Sequence, residues 1–241
     1  MSGRAIVTIR PEPGCTATVA AGAARGLAIE GWSLFDIEPV AWQAPDPGEV
    51  DGILLGSGNA IRHGGEALAA LRGKPVYAVG GATAEVARQA GFAIAMEGEG
   101  LLQGVLDALA GRRLRLLRIT GVEHVPVRPP PDIKIATRIA YASIARPMPD
   151  ALARKLTGRL AGGALVLLHS AAAARHFAGE TDRLGLPRAR IALAALGPRI
   201  ADAAGAGWAQ LRSAARPAED ALLALAGEMC HETRRGREAT G

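Results

Sequence analysis

Short apolar runs, each closing on a turn of small residues and entering an Ala-rich stretch of helical pattern, recur along this chain and leave few folds open to it. The runs cover residues 5–9, 52–55, 76–79, 114–119, 164–168, 191–196 and 210–212. Helical patterns fill residues 16–30, 59–71, 83–90, 101–110, 151–160, 171–177 and 218–229. That alternation is the rhythm of parallel strands joined by crossover helices, so the expectation is an α/β protein.

A weak internal repeat refines the expectation. Ile53-Leu-Leu-Gly-Ser57 echoes Leu165-Val-Leu-Leu-His-Ser170, and downstream Tyr77-Ala-Val-Gly80 echoes Leu193-Ala-Ala-Leu-Gly197, each piece leading into a helix. Two copies of one plan imply two related lobes. The second copy is too short for an independent sheet, while the opening strand at residues 5–9 has no neighbour of its own. Joining them makes the first lobe discontinuous, residues 1–33 with 145–230, and places the second lobe, residues 41–137, as an insertion. The crossings at 34–40 and 138–144 alternate in polarity, which suits a two-stranded β connector. Residues 231–241 lack apolar periodicity and are expected to be a disordered tail.

Composition narrows the function. The 241 residues are 49% hydrophobic, enough for a core, but only 3% aromatic, which leaves few platforms for stacking bases. The formal charge is +5, and all basic residues except Lys74, Lys134 and Lys155 are Arg. Arg suits carboxylates, although codon bias in a GC-rich genome would enrich it too. The basic residues are scattered, so no polyanion stripe and no nucleic-acid partner is expected. No run reaches membrane-spanning length and no signal-type apolar segment opens the chain, so a cytoplasmic protein without a membrane partner is expected. Cys15 and Cys230 are far apart, and the five histidines show no metal-ligand spacing. The phosphate-binding glycine fingerprints and the nucleophile elbow of hydrolases are missing.

In open parallel sheets, ligands gather at the carboxyl ends of the strands, where helices aim unpaired N–H groups outward. Four turns qualify: Ser57-Gly58-Asn59, Gly80-Gly81-Ala82-Thr83, Ser170-Ala171-Ala172 and Gly197-Pro198-Arg199. Facing one another across a cleft, they would suit carboxylates; alternatively their Gly, Ser and Asn merely cap helices. Thr8-Ile-Arg10-Pro-Glu-Pro-Gly14 adds Arg10, either an anion contact or a surface residue steadying its turn.

Taken in order, these pieces resemble the uroporphyrinogen-III synthase family over nearly the whole chain: the Arg10 motif, Gly56-Ser57-Gly-Asn59-Ala60, Ala78-Val-Gly80-Gly-Ala-Thr83-Ala84, Ile139-Ala-Tyr141, Leu168-His-Ser170 and Ala195-Leu-Gly197-Pro198. The resemblance implies two flavodoxin-like lobes joined by a two-stranded ladder, no metal and no organic cofactor. It also implies a cyclising hydro-lyase that closes hydroxymethylbilane, which carries eight carboxylates, into uroporphyrinogen III. The last ring is inverted through a spiro intermediate, water is lost, and a monomer would suffice. Arg10, Ser57, Gly58, Asn59, Gly80, Gly81, Thr83, Ser170, Ala171, Gly197, Pro198 and Arg199 would then bind substrate. Tyr141 matches the family's Tyr on the returning connector strand and becomes the candidate acid. Two departures stand out. The usual Gly-Pro-x-Thr reads Gly197-Pro-Arg-Ile200, with Arg199 as a substitute anion contact, and residues 126–131 carry Arg128 and three consecutive prolines where the family is usually helical, which predicts an extended loop. The rival reading is a non-catalytic two-lobed protein that binds a tetrapyrrole or other small anion.

Overall fold

The computed structural model describes residues 4–238, with side chains through residue 232. Its strands are β1 (Ala5–Thr8), β2 (Ile29–Gly31), β3 (Phe35–Pro39), β4 (Gly52–Leu55), β5 (Val76–Ala78), β6 (Ile94–Glu97), β7 (Leu114–Gly121), β8 (Ile133–Ala145), β9 (Ala164–Leu168), β10 (Ile191–Ala195) and β11 (Gln210–Ser213). The helices are α1 (Gly14–Ala23), α2 (Asn59–Arg62), α3 (Gly65–Ala69), α4 (Gly81–Gln89), α5 (Leu102–Asp107), α6 (Asp150–Arg159), α7 (Ala171–Arg183), α8 (Pro198–Ala204) and α9 (Glu219–Glu238). The chain divides into two units, breaking between Asp36 and Ile37 and again between Ile144 and Ala145.

The first unit holds a parallel sheet in the order β11-β10-β9-β1-β2. Counted within the unit, this is 5-4-3-1-2, the flavodoxin order, whose switch point lies between β1 and β9. Every residue of β9 and β10 is buried. Alternate side chains serve opposite faces: Val166, Leu168 and Leu193 pack with Phe177 of α7, while Leu165, Leu167 and Ala192 pack with Leu222 and Met229 of α9. Burial on both faces is why these runs read as continuously apolar.

The second unit holds the sheet β3-β8-β7-β4-β5-β6. Its β4-to-β8 portion is parallel and doubly wound, in the within-unit order 3-2-1-4-5, with the switch point between β4 and β7. The crossing segments do pair: Val40 N–H donates to the Ala140 carbonyl at 2.8 Å and Arg146 N–H to that of Leu34 at 2.8 Å, an antiparallel progression. They are not a separate ladder, however. The returning strand starts earlier than expected, at Ile133, and its first part pairs in parallel with β7 from Leu114↔Ile133 to Gly121↔Tyr141. Between β7 and β8 the proline-containing residues 124–130 form no regular element, as restricted φ and missing N–H donors dictate.

Three helical expectations change. The helix expected at 16–30 stops at Ala23, because Gly26 takes a left-handed conformation at φ +72° and the chain turns into edge strand β2. The pattern at 59–71 splits into α2 and α3 where Gly65 sits at φ +60°. The tail expected to be disordered from 231 instead continues α9 as far as Glu238, and Arg212 bridges to Glu228 and Glu232 on that helix. Residues 239–241 lie outside the described residues. No helix among the described residues is long and apolar enough to cross a membrane.

Phe177 is fully buried and stacks on Trp208 with ring centroids 5.8 Å apart. Replacing it with Ala is expected to lower unfolding free energy by about 3–5 kcal/mol. Urea titration followed by tryptophan emission measures this, and a loss below about 1 kcal/mol would show that the first unit's core does not depend on it.

Candidate functional site

In the second unit, strand register sets the site. Leu55 is aligned with Ile119 on one side and Ala78 on the other, and Gly121 with Tyr141. Two residues beyond Leu55 and Ala78 come Ser57 and Gly80. Tyr141, Gly121, Ser57 and Gly80 therefore stand at one level, at the carboxyl ends of β7, β4 and β5 and partway along β8. The Tyr141 ring lies against Gly121: a Cβ there would sit 2.6 Å from it. The lack of a side chain at 121 is what seats the phenol. The His63 ring approaches from α2's end with its centroid 6.3 Å away. Burial raises the Tyr141 pKa above its ordinary value, while hydrogen bonds with the Ser57 side chain and Gly121 backbone and the Arg118 charge pull the other way. The net direction keeps the hydroxyl protonated at neutral pH.

Gly80 is fully extended and precedes α4. Thr83 is buried in the first turn of α4, where its N–H donates to the Gly80 carbonyl at 3.0 Å. A Cβ on Gly81 would meet a Glu97 carboxylate oxygen at 2.8 Å, so an internal carboxylate already approaches this helix start. That is the electrostatic preference of a helix N-terminus. Ser57 Oγ accepts from Asn59 N–H at 3.2 Å, and the Asn59 side chain accepts from Arg62 at 3.2 Å. Gly58 has no spare room, since a Cβ would lie 3.0 Å from Arg62 and 3.1 Å from Val86.

The first unit repeats the plan. Ser170 caps α7, its Oγ accepting from Ala173 N–H at 3.1 Å, and Ala171 follows it. Gly197 is extended like Gly80 and opens α8, with Pro198 in the first turn and Arg199 exposed. Ile200, three residues after Gly197 as Thr83 is after Gly80, packs into the apolar core. The corresponding positions both face inward, so an aliphatic side chain fits where a hydroxyl was expected.

Arg10 has an internal partner. Its guanidinium reaches Glu219 at 3.2 Å and Thr18 at 3.3 Å. Thr18 in turn donates to Glu219 at 2.7 Å, and His169 Nε2 lies 3.1 Å from the same carboxylate. Sequence reading did not single out Thr18 or Glu219, and it gave His169 no role of its own. They stand 201 and 50 positions from their partners, and only folding unites them. Burial pushes the Glu219 carboxyl up, but the His169, Thr18 and Arg10 interactions overcome it and hold its pKa at about 2. Burial lowers that of His169. Facing a carboxylate, which only accepts, its Nε2 is the donor.

Each edge thus offers helix-start amides, small residues and hydroxyls suited to carboxylates, and the second adds a half-buried phenol. Among the described residues no group of three or more His, Cys, Asp or Glu side chains could hold a metal ion.

A family model described as uroporphyrinogen-III synthase HemD matches residues 20–224. No curated protein sequence matches the chain. Among solved structures, uroporphyrinogen-III synthetase of Helicobacter pylori 26695 is 16% identical, with a TM-score of 0.56 over 94% of this chain and 99% of that one, a likeness of fold. A mutant uroporphyrinogen III synthase of Thermus thermophilus is 17% identical, with a TM-score of 0.47 over 95% and 99%.

The Glu219 pKa gives a stability prediction. Its carboxylate is held near 2 against an ordinary 4.5, so its stabilisation is complete above about 4.5 and fades as pH falls toward 2. The melting-temperature gap between the wild type and Glu219→Gln should be widest near neutrality and narrow through that window. A gap independent of pH would show that the carboxylate's charge is not what binds this network.

Proposed function

The chain belongs to the uroporphyrinogen-III synthase family, and on that premise we propose how its residues carry out the family's reaction, in which hydroxymethylbilane closes to uroporphyrinogen III with inversion of the last ring and loss of water. The enzyme is a cyclising hydro-lyase of tetrapyrrole biosynthesis. The observation that carries the residue assignment is the seating of Tyr141 on Gly121 at the carboxyl edge of the second sheet, level with Ser57 and Gly80.

Tyr141 donates its proton to the departing hydroxyl of the terminal hydroxymethyl group, so water leaves and a delocalised pyrrolic cation remains. The substituted carbon of the far ring attacks that cation, giving the spiro intermediate. Fragmentation and reattachment at the neighbouring carbon invert the ring, and the proton lost when the ring regains aromaticity restores the tyrosine. Since unassisted closure gives the uninverted isomer, the protein's main contribution is positioning, with proton donation second. Thr83 and the amides around Gly80 and Gly81 receive carboxylates in the second unit. Ser57 with Asn59 orients the phenol and its turn, and Gly58 keeps that turn compact. In the first unit the starts at Ser170-Ala171 and Gly197-Pro198, with the exposed Arg199, serve carboxylates likewise. Arg10 contributes through its network with Glu219. The scattered charge and low aromatic content support a small-molecule substrate without a nucleic-acid partner, and the protein is proposed to act as a cytoplasmic monomer.

Purified protein supplied with hydroxymethylbilane generated in situ is expected to yield the type III isomer after oxidation and chromatographic separation; type I alone would end this reading. Tyr141→Phe should slow type III formation at least about tenfold, the scale of a lost acid catalyst. The wild type should keep its rate through the neutral range and into the alkaline, since the donor must stay protonated and burial raises its pKa above the ordinary tyrosine value. A Phe variant with full turnover would reduce Tyr141 to packing.

A further inference from the structure

The apolar run of β7 is broken by one residue that its surroundings do not explain. Arg118 lies within the strand, aligned with Leu54 on β4 and Thr137 on β8, and is only 6% exposed. A guanidinium has five N–H donors and is charged at every relevant pH, so a buried one is expected beside a carboxylate. Among the described residues Arg118 has no such partner. Among the described residues its side chain makes one hydrogen bond, from Nη2 to the Val125 carbonyl at 2.7 Å, and its buried Nε has no acceptor.

Its position is as telling as its charge. Gly121, aligned with Tyr141, is three residues further along β7, about 10 Å at the rise of a strand; Arg118 leaves the sheet on the face of Leu54 and Leu116, and its bond to Val125 carries it to the loop that follows the carboxyl end of β7. Its charge is felt at Tyr141. Val125, which receives its one hydrogen bond, and Val122, whose N–H donates to the Tyr141 carbonyl at 3.0 Å, are about half exposed, at 50% and 53%. A cation lacking a counter-ion, with exposed apolar side chains close by at a ligand-binding edge, has the makeup of a site for an anion carried on an apolar frame. A carboxylate matches the guanidinium fork, and a pyrrole ring offers apolar surface to valine.

We infer that Arg118 is a substrate-binding residue that holds one carboxylate of the tetrapyrrole, with Val122 and Val125 as the rim against which the ring bearing that carboxylate rests. This assignment deepens the reading given above and rests on it. The competing role is structural: Arg118 would only tether the loop between β7 and β8 through the Val125 carbonyl.

Arg118→Met separates the two, because it keeps an apolar side chain of similar length and removes the charge. Binding is read by quenching of the fluorescence of uroporphyrin III, the stable oxidised tetrapyrrole with the same eight carboxylates, and stability by thermal melting. For a ligand-binding residue, the variant binds uroporphyrin at least about tenfold more weakly, the loss expected for a charge-assisted hydrogen bond. Its KM for hydroxymethylbilane rises by a larger factor than kcat falls, its melting temperature is equal to or above that of the wild type, and Arg118→Lys recovers part of the affinity. Unchanged uroporphyrin affinity would overturn the inference, as would a fall in melting temperature accompanied by new proteolysis within residues 122–132. If the wild type made no type III product, the ring-closure reading would fall, and uroporphyrin binding alone would still decide Arg118.

Discussion

Burial of parallel strands on both faces is the constraint from which the rest of this molecule follows. β4, β9 and β10 have no exposed residue, so their side chains can only be apolar and their backbone polar groups are spent within the sheet. Polar chemistry is confined to strand ends. At the carboxyl ends helices begin, and their first N–H groups lack intrahelical acceptors. The strand ends are thus the part of each sheet that the fold leaves polar.

Within the second unit, one missing side chain has a large effect. Gly121 lets the Tyr141 ring approach to a distance no Cβ would permit, and the one-residue shift in register between β7 and β8 at that point places the ring over it. Register and a glycine together turn a strand tyrosine into a half-buried phenol beside Ser57. The first unit, built on the same plan, has no phenol at its edge. It carries instead a network of Arg10, Thr18, His169 and Glu219 that joins β1, α1, β9 and α9. The two edges thus differ in chemistry while sharing helix-start amides. Arg118 extends the asymmetry, since its buried charge finds no internal counter-ion while that of Arg10 does.

The sequence by itself determined the α/β class, the strand runs of both cores, the discontinuous order of the chain and the four helix-start turns, because strand burial and turn geometry are written in consecutive residues. It overran the first helix, where Gly26 rather than an apolar pattern sets the end, and missed β2 and β6, whose few residues carry little periodicity. It also placed Tyr141 on a connector without foreseeing that β8 joins the sheet beside β7. Only the tertiary structure decided that Gly121 is a seat, that Glu219 closes on Arg10 from 209 positions away, that Ile200 belongs to a core, and that Arg118 is buried without a carboxylate. Each of these is a property of a pair of residues distant in sequence, and distance in the chain carries no information about contact until packing brings the two together.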